Sequence, residues 1–579
     1  MKKIFKNMAW MLAATMAMAA CSDSLEESSG NGNSNEYVGD KGYVNIGINL
    51  PTTKGNTRAF DGYNDGIEAE YDVNNVIIAL FYGENESKAI CKHAFKINGD
   101  DFQMFGTADD NITTYSVTGV RMISAPGSDN VYALALINAP QGIFDILNTP
   151  QSGEDTGDAL LSTSLEVNNS GVAFTETLGA LNDAINEVNI GNVSTGFFMT
   201  NAAIAINGET SSDLTAQILA PISVYNSKEI AQGEAKNNPI YVERAAAKVA
   251  VTVDDDDNTL TVTDEYPHYA GATVEFTKWN LQNTNKTFYP VRKVDGFDDW
   301  KTDAYKIDGA PNRFVGAMAN PYRIFWAVDP NYTETTPVED LEIVTTGTEP
   351  VDVSEWYGMS NVAYCAENTT DVSTMLSSNL TSVLLQATFT PKDAVPGSNF
   401  FMLNNVSAIY TETEFLEWAT NTLINDETEG VKPNGTLTID SEAKSGIITN
   451  VATIQALIKD NGTQLDETKA NILLDAAGGN IKFYKGGVTY YYAAVIKHFG
   501  EETPYEEDAA NVVYDEEKHL GRYGVVRNTW YELKINSVSG PGEPVIPEIP
   551  TTPPDKENSY INCEINVLSW AKRSQSVDL

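Results

Sequence analysis

Two stretches more than five hundred residues apart carry the same alternation of apolar and polar positions. Tyr43 to Leu50 reads Tyr-Val-Asn-Ile-Gly-Ile-Asn-Leu, with Val44, Ile46, Ile48 and Leu50 at every second position. Tyr560 to Val567 reads Tyr-Ile-Asn-Cys-Glu-Ile-Asn-Val, with Ile561, Cys563, Ile565 and Val567 in the same register and Asn562, Glu564 and Asn566 between them. Period two marks a strand with one buried face. Aligned without a gap, the two share Tyr, Asn, Ile and Asn, so either is expected to fill one and the same groove, one at a time. Between them lie short apolar runs of strand formers at Val76 to Tyr82 and Val131 to Ile137. Tyr241 to Val253, Asp254 to Asn258 and Thr259 to Val262 predict a strand, an acidic turn and a returning strand. Further strands are predicted at Val274 to Trp279, Ser382 to Thr390, Val488 to Ile496 and Trp530 to Val538. Helices are few. A short one is predicted near Ala180 to Ile185. A second opens at Thr411 with Glu414 as a capping box and carries Phe415, Leu416, Ala419 and Leu423. A third starts at Asn450 with Val451, Ile454, Leu457 and Ile458 on one face. The pattern is that of a mainly β protein built as a sandwich.

The ends of the chain add a different kind of signal. Lys2, Lys3 and Lys6 precede an apolar run from Met8 that ends Met18-Ala19-Ala20-Cys21. A basic start, a short apolar core and small residues before a Cys describe an export signal, too short to span a membrane as a helix. The small residues ahead of Cys21 look like a bacterial lipobox, which makes Cys21 the expected lipidated residue. Ser22 to Asn35 follow as a polar tether in which Asp23, Glu26 and Glu27 resemble the acidic export signals of surface lipoproteins. Pro51 to Gly62 is a Pro/Gly/Asn/Thr loop of the kind proteases nick, and it contains Arg58 followed by Ala59. Cutting there removes the lipid, the tether and the Tyr43 to Leu50 strand together. At the other end, Pro541, Pro544, Pro547, Pro550 and Pro553 recur every third residue. That is the period of a polyproline helix, so Gly540 to Ser559 is expected to be a stiff, free arm reaching roughly 60 Å, with a strand at its tip.

Composition narrows the function classes. The chain has 579 residues and a formal charge of −43, which implies more than one domain and disfavours nucleic acid and anionic lipid as partners. Its four cysteines, Cys21, Cys91, Cys365 and Cys563, are widely spaced, giving neither a disulfide framework nor a zinc pattern; the last three are expected as small buried side chains. Four consecutive Asp, Asp254 to Asp257, invite a calcium ion, but a hairpin tip splays its ligands and a solvated tip is favoured. Tyr490, Tyr491 and Tyr492 invite an aromatic platform, but core and surface pairing is favoured. No catalytic residue, metal site or cofactor is expected.

With these features assembled, the chain resembles the fimbrillins, the stalk subunits of type V pili, and within them the major-subunit type of the short fimbriae. The residues that carry the resemblance are Tyr491-Tyr492-Ala493, Val525-Val526-Arg527-Asn528-Thr529-Trp530-Tyr531, the proline arm, Val567-Leu568-Ser569-Trp570 and the closing Val577-Asp578-Leu579. Val242-Glu243-Arg244 and Ala387-Thr388-Phe389-Thr390-Pro391-Lys392 add to it, and Ser569 departs from the Pro of that type. The resemblance implies two transthyretin-like Greek-key β-sandwich domains with a few short helices. The layout is then a signal peptide at 1–20, a prosegment at 21–58, an N-terminal domain at 59–240, a C-terminal domain at 241–538 and an arm with donor strand at 539–579. It implies a precursor lipidated at Cys21 on the outer membrane and cut between Arg58 and Ala59 by an Arg-specific protease. Loss of the strand bearing Val44, Ile46, Ile48 and Leu50 would open a groove for the Ile561, Cys563, Ile565 and Val567 strand of a neighbouring copy. The expected partners are copies of itself, anchor and tip subunits, the protease, and a surface ligand that the sequence does not name; the membrane enters only through the precursor lipid. Two other readings stand beside it: an accessory, tip or anchor subunit of such a pilus, and a glycan-binding surface lipoprotein.

Overall fold

The computed structural model describes residues 41–50, 67–98, 102–105, 113–117, 120–148, 176–183, 189–206, 213–232, 234, 239–255, 257–305, 312–315, 322–333, 341–342, 356–404, 406–505, 512–556 and 561–569. The amino-terminal strands are β1 (Lys41–Val44), β2 (Gly47–Leu50), β3 (Asn75–Gly83), β4 (Ile90–Asn98), β5 (Phe102–Phe105), β6 (Thr113–Val117), β7 (Arg121–Ser124), β8 (Asn130–Ile137), β9 (Met199–Asn201) and β10 (Pro239–Arg244). Among the described residues, one sheet runs β4-β3-β8-β9-β10-β2-β6-β5, and β1 pairs with β7 beside it. The apolar runs predicted at Val76 and Val131 are β3 and β8. Both are buried on two faces. Val76, Ile78 and Leu80 enter one core, while Ile77, Ala79 and Phe81 enter another with helices α1 (Gln141–Asn148) and α2 (Leu178–Asp183) over it. Burial on both sides is why these strands read as continuous apolar runs rather than alternations.

The carboxy-terminal part is a sandwich. Its strands are β11 (Ala246–Val253), β12 (Thr259–Thr261), β13 (Thr273–Gln282), β14 (Val362–Ala366), β15 (Ser382–Thr390), β16 (Phe400–Leu403), β17 (Val406–Thr411), β18 (Gly446–Ile448), β19 (Ile481–Tyr484), β20 (Val488–Val495), β21 (Thr529–Val538) and β22 (Ile561–Ser569). One layer is β14-β11-β21-β22, the facing layer is β12-β13-β15-β20, and β17-β16-β19-β18 forms a further sheet between β15 and β20 in sequence. Val249, Val251, Phe276, Trp279, Leu385 and Leu533 fill the space between the two layers. The first layer also has a second buried face, where Ala246, Ala250 and Trp530 join the amino-terminal core.

Two local expectations are corrected. Tyr241 to Val253 is two strands rather than one. The chain breaks at Ala245, whose N–H donates to Phe198 O at 2.8 Å, and β10 and β11 belong to different sheets. The acidic turn is no hairpin tip either. β11 pairs with β14 and, in parallel, with β21, whereas β12 pairs with β13 in the facing layer. Asp254 to Asn258 therefore carries the chain across the sandwich, pinned where Asp254 N–H donates to Ile535 O at 2.9 Å and its carboxylate meets Lys534 at 2.6 Å. Alternation reports which face a residue takes, and it is silent about the partner strand.

The helix at Thr411 forms as its capping box requires. In α3 (Glu412–Asn425) the Thr411 N–H donates to the Glu414 carboxylate at 2.8 Å, the Glu414 N–H returns to Thr411 Oγ1 at 3.3 Å, and Phe415, Ala419 and Leu423 are buried. In α4 (Val451–Leu457) Asn450 caps Thr453 N–H at 3.1 Å, but Ile458, expected on the helix, begins a short strand. A helix that went unpredicted, α5 (Glu467–Ala476), starts on Asp466, whose side chain accepts from Thr468 N–H.

His498 is buried between layers, with Nδ1 2.7 Å from Tyr531 Oη and Nε2 3.0 Å from Phe325 O. A carbonyl only accepts, so Nε2 carries the proton and the ring is neutral. Burial pushes its pKa down to about 3 and that of His93 down to about 4, and it lowers that of His519 as well. Folded-state values below the ordinary 6.5 mean that stability is full above that pH and is lost as pH falls toward 4 and 3. Thermal unfolding followed from pH 7 to pH 4 is expected to show a steadily falling midpoint, with a shallower slope in His498→Asn.

Candidate functional site: the two terminal strands

The alternation at Tyr43 to Leu50 is obeyed in burial: Val44, Ile46 and Ile48 are 0%, 3% and 1% exposed and join one core with Ile78, Ile97 and Ile240. The side chain of Leu50 lies outside the described residues, though its backbone pairs with Thr113. The expected single strand is broken in two. β1 pairs antiparallel with β7, Asn45 and Ile46 form the step, and β2 enters the large sheet. Asn45 is buried at the step and donates from Nδ2 to Gln232 O at 3.1 Å. Tyr43 exchanges two backbone hydrogen bonds with Tyr225, each 2.8 Å.

β2 is an interior strand. It runs parallel to β10, Gly47 to Asn49 opposite Pro239 to Tyr241, and antiparallel to β6, Gly47 to Leu50 opposite Ser116 to Thr113. Withdrawing it would bare one edge of each neighbour and empty the core of its aliphatic side chains, which contribute about 1.5–3 kcal/mol apiece. An extended peptide could replace both contributions, because such an edge pairs with any backbone.

The carboxy-terminal strand sits elsewhere. β22 pairs antiparallel with β21, Ile565 opposite Leu533 and Cys563 opposite Ile535, with a bulge between Ile535 and Ser537. It ends the row β14-β11-β21-β22 and so has a ladder on one side only among the described residues. The two look-alike strands thus do not contend for one groove within a single chain; each has its own sheet. The side chains of Ile561, Cys563, Ile565 and Val567 lie outside the described residues, as do Cys21, Arg58 and Ala59. Arg58 and Ala59 fall in the span 51–66, between Leu50 and Ile67.

The reading of a free proline arm is overturned. Gly540 to Ile546 is docked against the sandwich: Tyr491 Oη donates to Gly540 O at 3.0 Å, Tyr484 Oη to Gly542 O at 2.8 Å, and Tyr490 and Glu543 exchange two backbone bonds of 2.8 Å. Lys482 meets the Glu543 carboxylate at 2.7 Å, and Ile546 is buried beside Leu384. A polyproline segment has no internal hydrogen bonds, so its carbonyls are available to a neighbouring tyrosine. The tyrosine cluster is accordingly a structural clasp, with Tyr492 Oη accepting from Ser382 and Tyr490 Oη from Gln386.

Sequence reasoning missed the buried charges that surround these strands. Just beyond the Arg58 span, Glu70 is fully buried and accepts from Lys248 Nζ and Tyr364 Oη, each at 2.7 Å, while Arg244 Nε donates to its carbonyl at 3.0 Å. Burial pulls the Lys248 pKa down against the pull of Glu70. Glu243 holds Arg292 at 2.7 Å and Arg323 at 3.5 Å, and Glu367 holds Arg527 at 3.2 Å. The available signal was a charge directly after an apolar run, as at Glu243 after Ile240-Tyr241-Val242 and Arg527 after Val525-Val526. Cys91 and Cys365 are free and buried. Among the described residues no three His, Cys, Asp or Glu side chains gather as metal ligands, and no helix is long and apolar enough to cross a membrane.

The family described as "Major fimbrial subunit protein type IV, Fimbrillin, C-terminal" matches residues 482–576. The carboxy-terminal region is of the fimbrillin family. This fimbrillin region takes in most of β19 and all of β20, β21, the arm and β22. No curated protein sequence matches the chain. Among solved structures, the chain is similar to a putative cell adhesion protein from Parabacteroides distasonis, 13% identical with a TM-score of 0.36, covering 92% of this chain and 99% of that one. It is also similar to the tip fimbrial protein Mfa3 from Porphyromonas gingivalis with C-terminal truncation, 10% identical with a TM-score of 0.31, covering 91% and 100%. A putative cell adhesion protein from Bacteroides eggerthii is 10% identical, with a TM-score of 0.29, covering 91% and 96%.

Ile48→Ala in the fimbrillin-like chain is expected to cost about 2–4 kcal/mol of stability in urea unfolding of the uncleaved protein. Lys41→Ala, at an exposed position of β1, is expected to stay within about 0.5 kcal/mol.

Proposed function

We propose that the protein is a structural stalk subunit of a surface fimbrium. It is exported as a lipoprotein through Cys21, matured by cleavage between Arg58 and Ala59, and joined to its neighbours when the β22 strand of one copy enters the slot that β2 vacates in the next. The observation that carries this reading is the difference in pairing between the two terminal strands. β2 has a partner on both sides, β10 and β6, whereas among the described residues β22 pairs with β21 alone. A tail that leaves an edge and enters an interior slot gives up one ladder and gains two. By register the two states nearly balance, nine residue pairs with β21 against three with β10 and four with β6, so the exchange is driven by refilling the core that β2 empties, which the matching apolar spacing of the two strands allows.

Cleavage supplies the timing. While the peptide bond after Arg58 is intact, the resident strand is tethered to its slot at a very high effective concentration and excludes a competitor from another molecule. Once cut, it dissociates for good. The charge of −43 makes copies repel at long range, but screening confines that repulsion to about 10 Å at ordinary salt, and backbone pairing acts within it. Copies of this chain, anchor and tip subunits and an Arg-specific protease are the partners in this reading, and it asks for no bond-breaking chemistry from the subunit itself.

Arg58→Ala is expected to leave a lipidated monomer that forms no fibres under electron microscopy; full-length fibres from this variant would contradict the role of the cut. Deletion of Tyr560–Leu579 is expected to give a folded subunit that accepts a donor strand but does not extend a chain. Normal polymerisation of the truncated protein would remove β22 from the donor role.

A further inference from the structure

The arm is fastened at two places of different character. The first, at Gly540 to Ile546, is tight and buried. A Cβ added at Gly542 would stand 2.1 Å from Tyr490 O and 2.9 Å from a Tyr491 ring carbon, so only glycine fits. The two backbone bonds between Glu543 and Tyr490 and the burial of Ile546 lock the same stretch. The second fastening is polar. Ser377 N–H donates to Thr552 O at 3.0 Å. Asp555 then takes a forked pair from Arg522, Nη2 at 2.7 Å and Nε at 2.9 Å, plus the Tyr514 hydroxyl at 2.9 Å. Arg522 is aimed by its bond to Thr503 O and is itself buried. Burial alone would push the Asp555 carboxyl up, but Arg522 and the tyrosine hydroxyls outweigh it and hold it low. Between the two fastenings, Glu548 and Thr551 are exposed and Pro547, Ile549 and Pro550 half-buried.

We infer that Asp555, clamped by Arg522 and Tyr514, is the latch that keeps the tail strand on its own subunit, and that the tail pivots within Pro547 to Thr551 while Gly540 to Ile546 stays docked. The inference deepens the donor reading of β22, on which its purpose rests, but the latch itself is a property of the uncleaved monomer. The moving part is about thirteen residues of arm rather than twenty, so its reach is roughly 40 Å at about 3.1 Å per residue. A charge-assisted forked pair is strong when made but is lost whole when one partner changes, unlike an apolar dock that loosens gradually. That suits it to be the part that opens.

Hydrogen–deuterium exchange of the full-length, uncleaved chain tests this without requiring maturation or fibres. In Asp555→Asn, amides of Ile561–Ser569 and the paired amides of Thr529–Val538 are expected to exchange about tenfold faster or more. Amides of Tyr490 and Gly542 to Ile546 are expected to keep wild-type rates. Tyr514→Phe, which removes one bond and no charge, should move the same tail amides by a smaller factor, and it serves if Asp555→Asn does not fold. Gly542→Ala should do the reverse, loosening the proximal stretch while the tail strand keeps its protection. Unchanged tail exchange in both latch variants, or a proximal stretch that loosens in step with the tail, would overturn the inference. If the latch behaves as expected and Arg58→Ala still yields fibres, the latch stands and the cleavage reading falls.

Discussion

The constraint on which the structure turns is the obligation of a β-strand backbone to be paired on each side that is not open to water. β10 and β6 meet that obligation through β2, a segment of four residues. β21 meets it through β22, held from the other end of the chain. Both large sheets therefore depend on a terminal segment. One is gripped from two sides with buried aliphatic side chains, and the other from one side behind a docked arm.

For a sheet to survive the loss of an interior strand, its walls must be held by something else. Buried charges do this on the β10 side, while β6 keeps its pairing with β5. Glu70 ties the chain just after the span containing Arg58 to Lys248 on β11 and Tyr364 on β14, and Lys248 lies 3.6 Å over the Trp530 ring on β21. Glu243 on β10 reaches Arg292 and Arg323, and Arg527 returns to Glu367. Buried ion pairs add little net stability compared with a well-packed apolar core, but removing one partner strands the other and is costly. They fix which sheet sits against which. In the proposed exchange, β10 keeps its place beside β9 and its link to Arg292 whether or not β2 is present.

Much of the fold was legible along the chain. The apolar runs at Val76, Val131, Ser382 and Trp530 became strands within a residue or two of their expected limits, because β-branched and aromatic residues under burial on two faces leave few other choices. Thr411 with Glu414 fixed a helix start locally. What failed was pairing. Tyr241 to Val253 has no Gly, Pro or Asn to mark a break but serves two sheets, and Asp254 to Asn258 joins layers rather than neighbours; neither fact is encoded in a local period. The proline arm was read as free because its spacing specifies a conformation and says nothing of the tyrosines at 484, 490 and 491 that receive it. At the candidate site, the burial of Val44, Ile46 and Ile48 was legible, whereas the step at Asn45 and the separate seat of β22 depend on contacts hundreds of residues away. The Glu70 network was not legible, since Glu70 stands among Glu68 and Asp72 in the chain, and Glu243 showed only as a charge directly after an apolar run.

In the proposed exchange the slot between β10 and β6 passes from the chain's own β2 to a neighbour's tail. Electron cryomicroscopy of fibres formed from the cleaved protein, at a resolution that traces the backbone, tests it most directly. Residues 561–569 of one subunit are expected to lie between Pro239–Arg244 and Thr113–Val117 of the next, with 47–50 gone. Fibres in which each tail remains on its own Thr529–Val538, with 47–50 still in the slot or the slot empty, would contradict it.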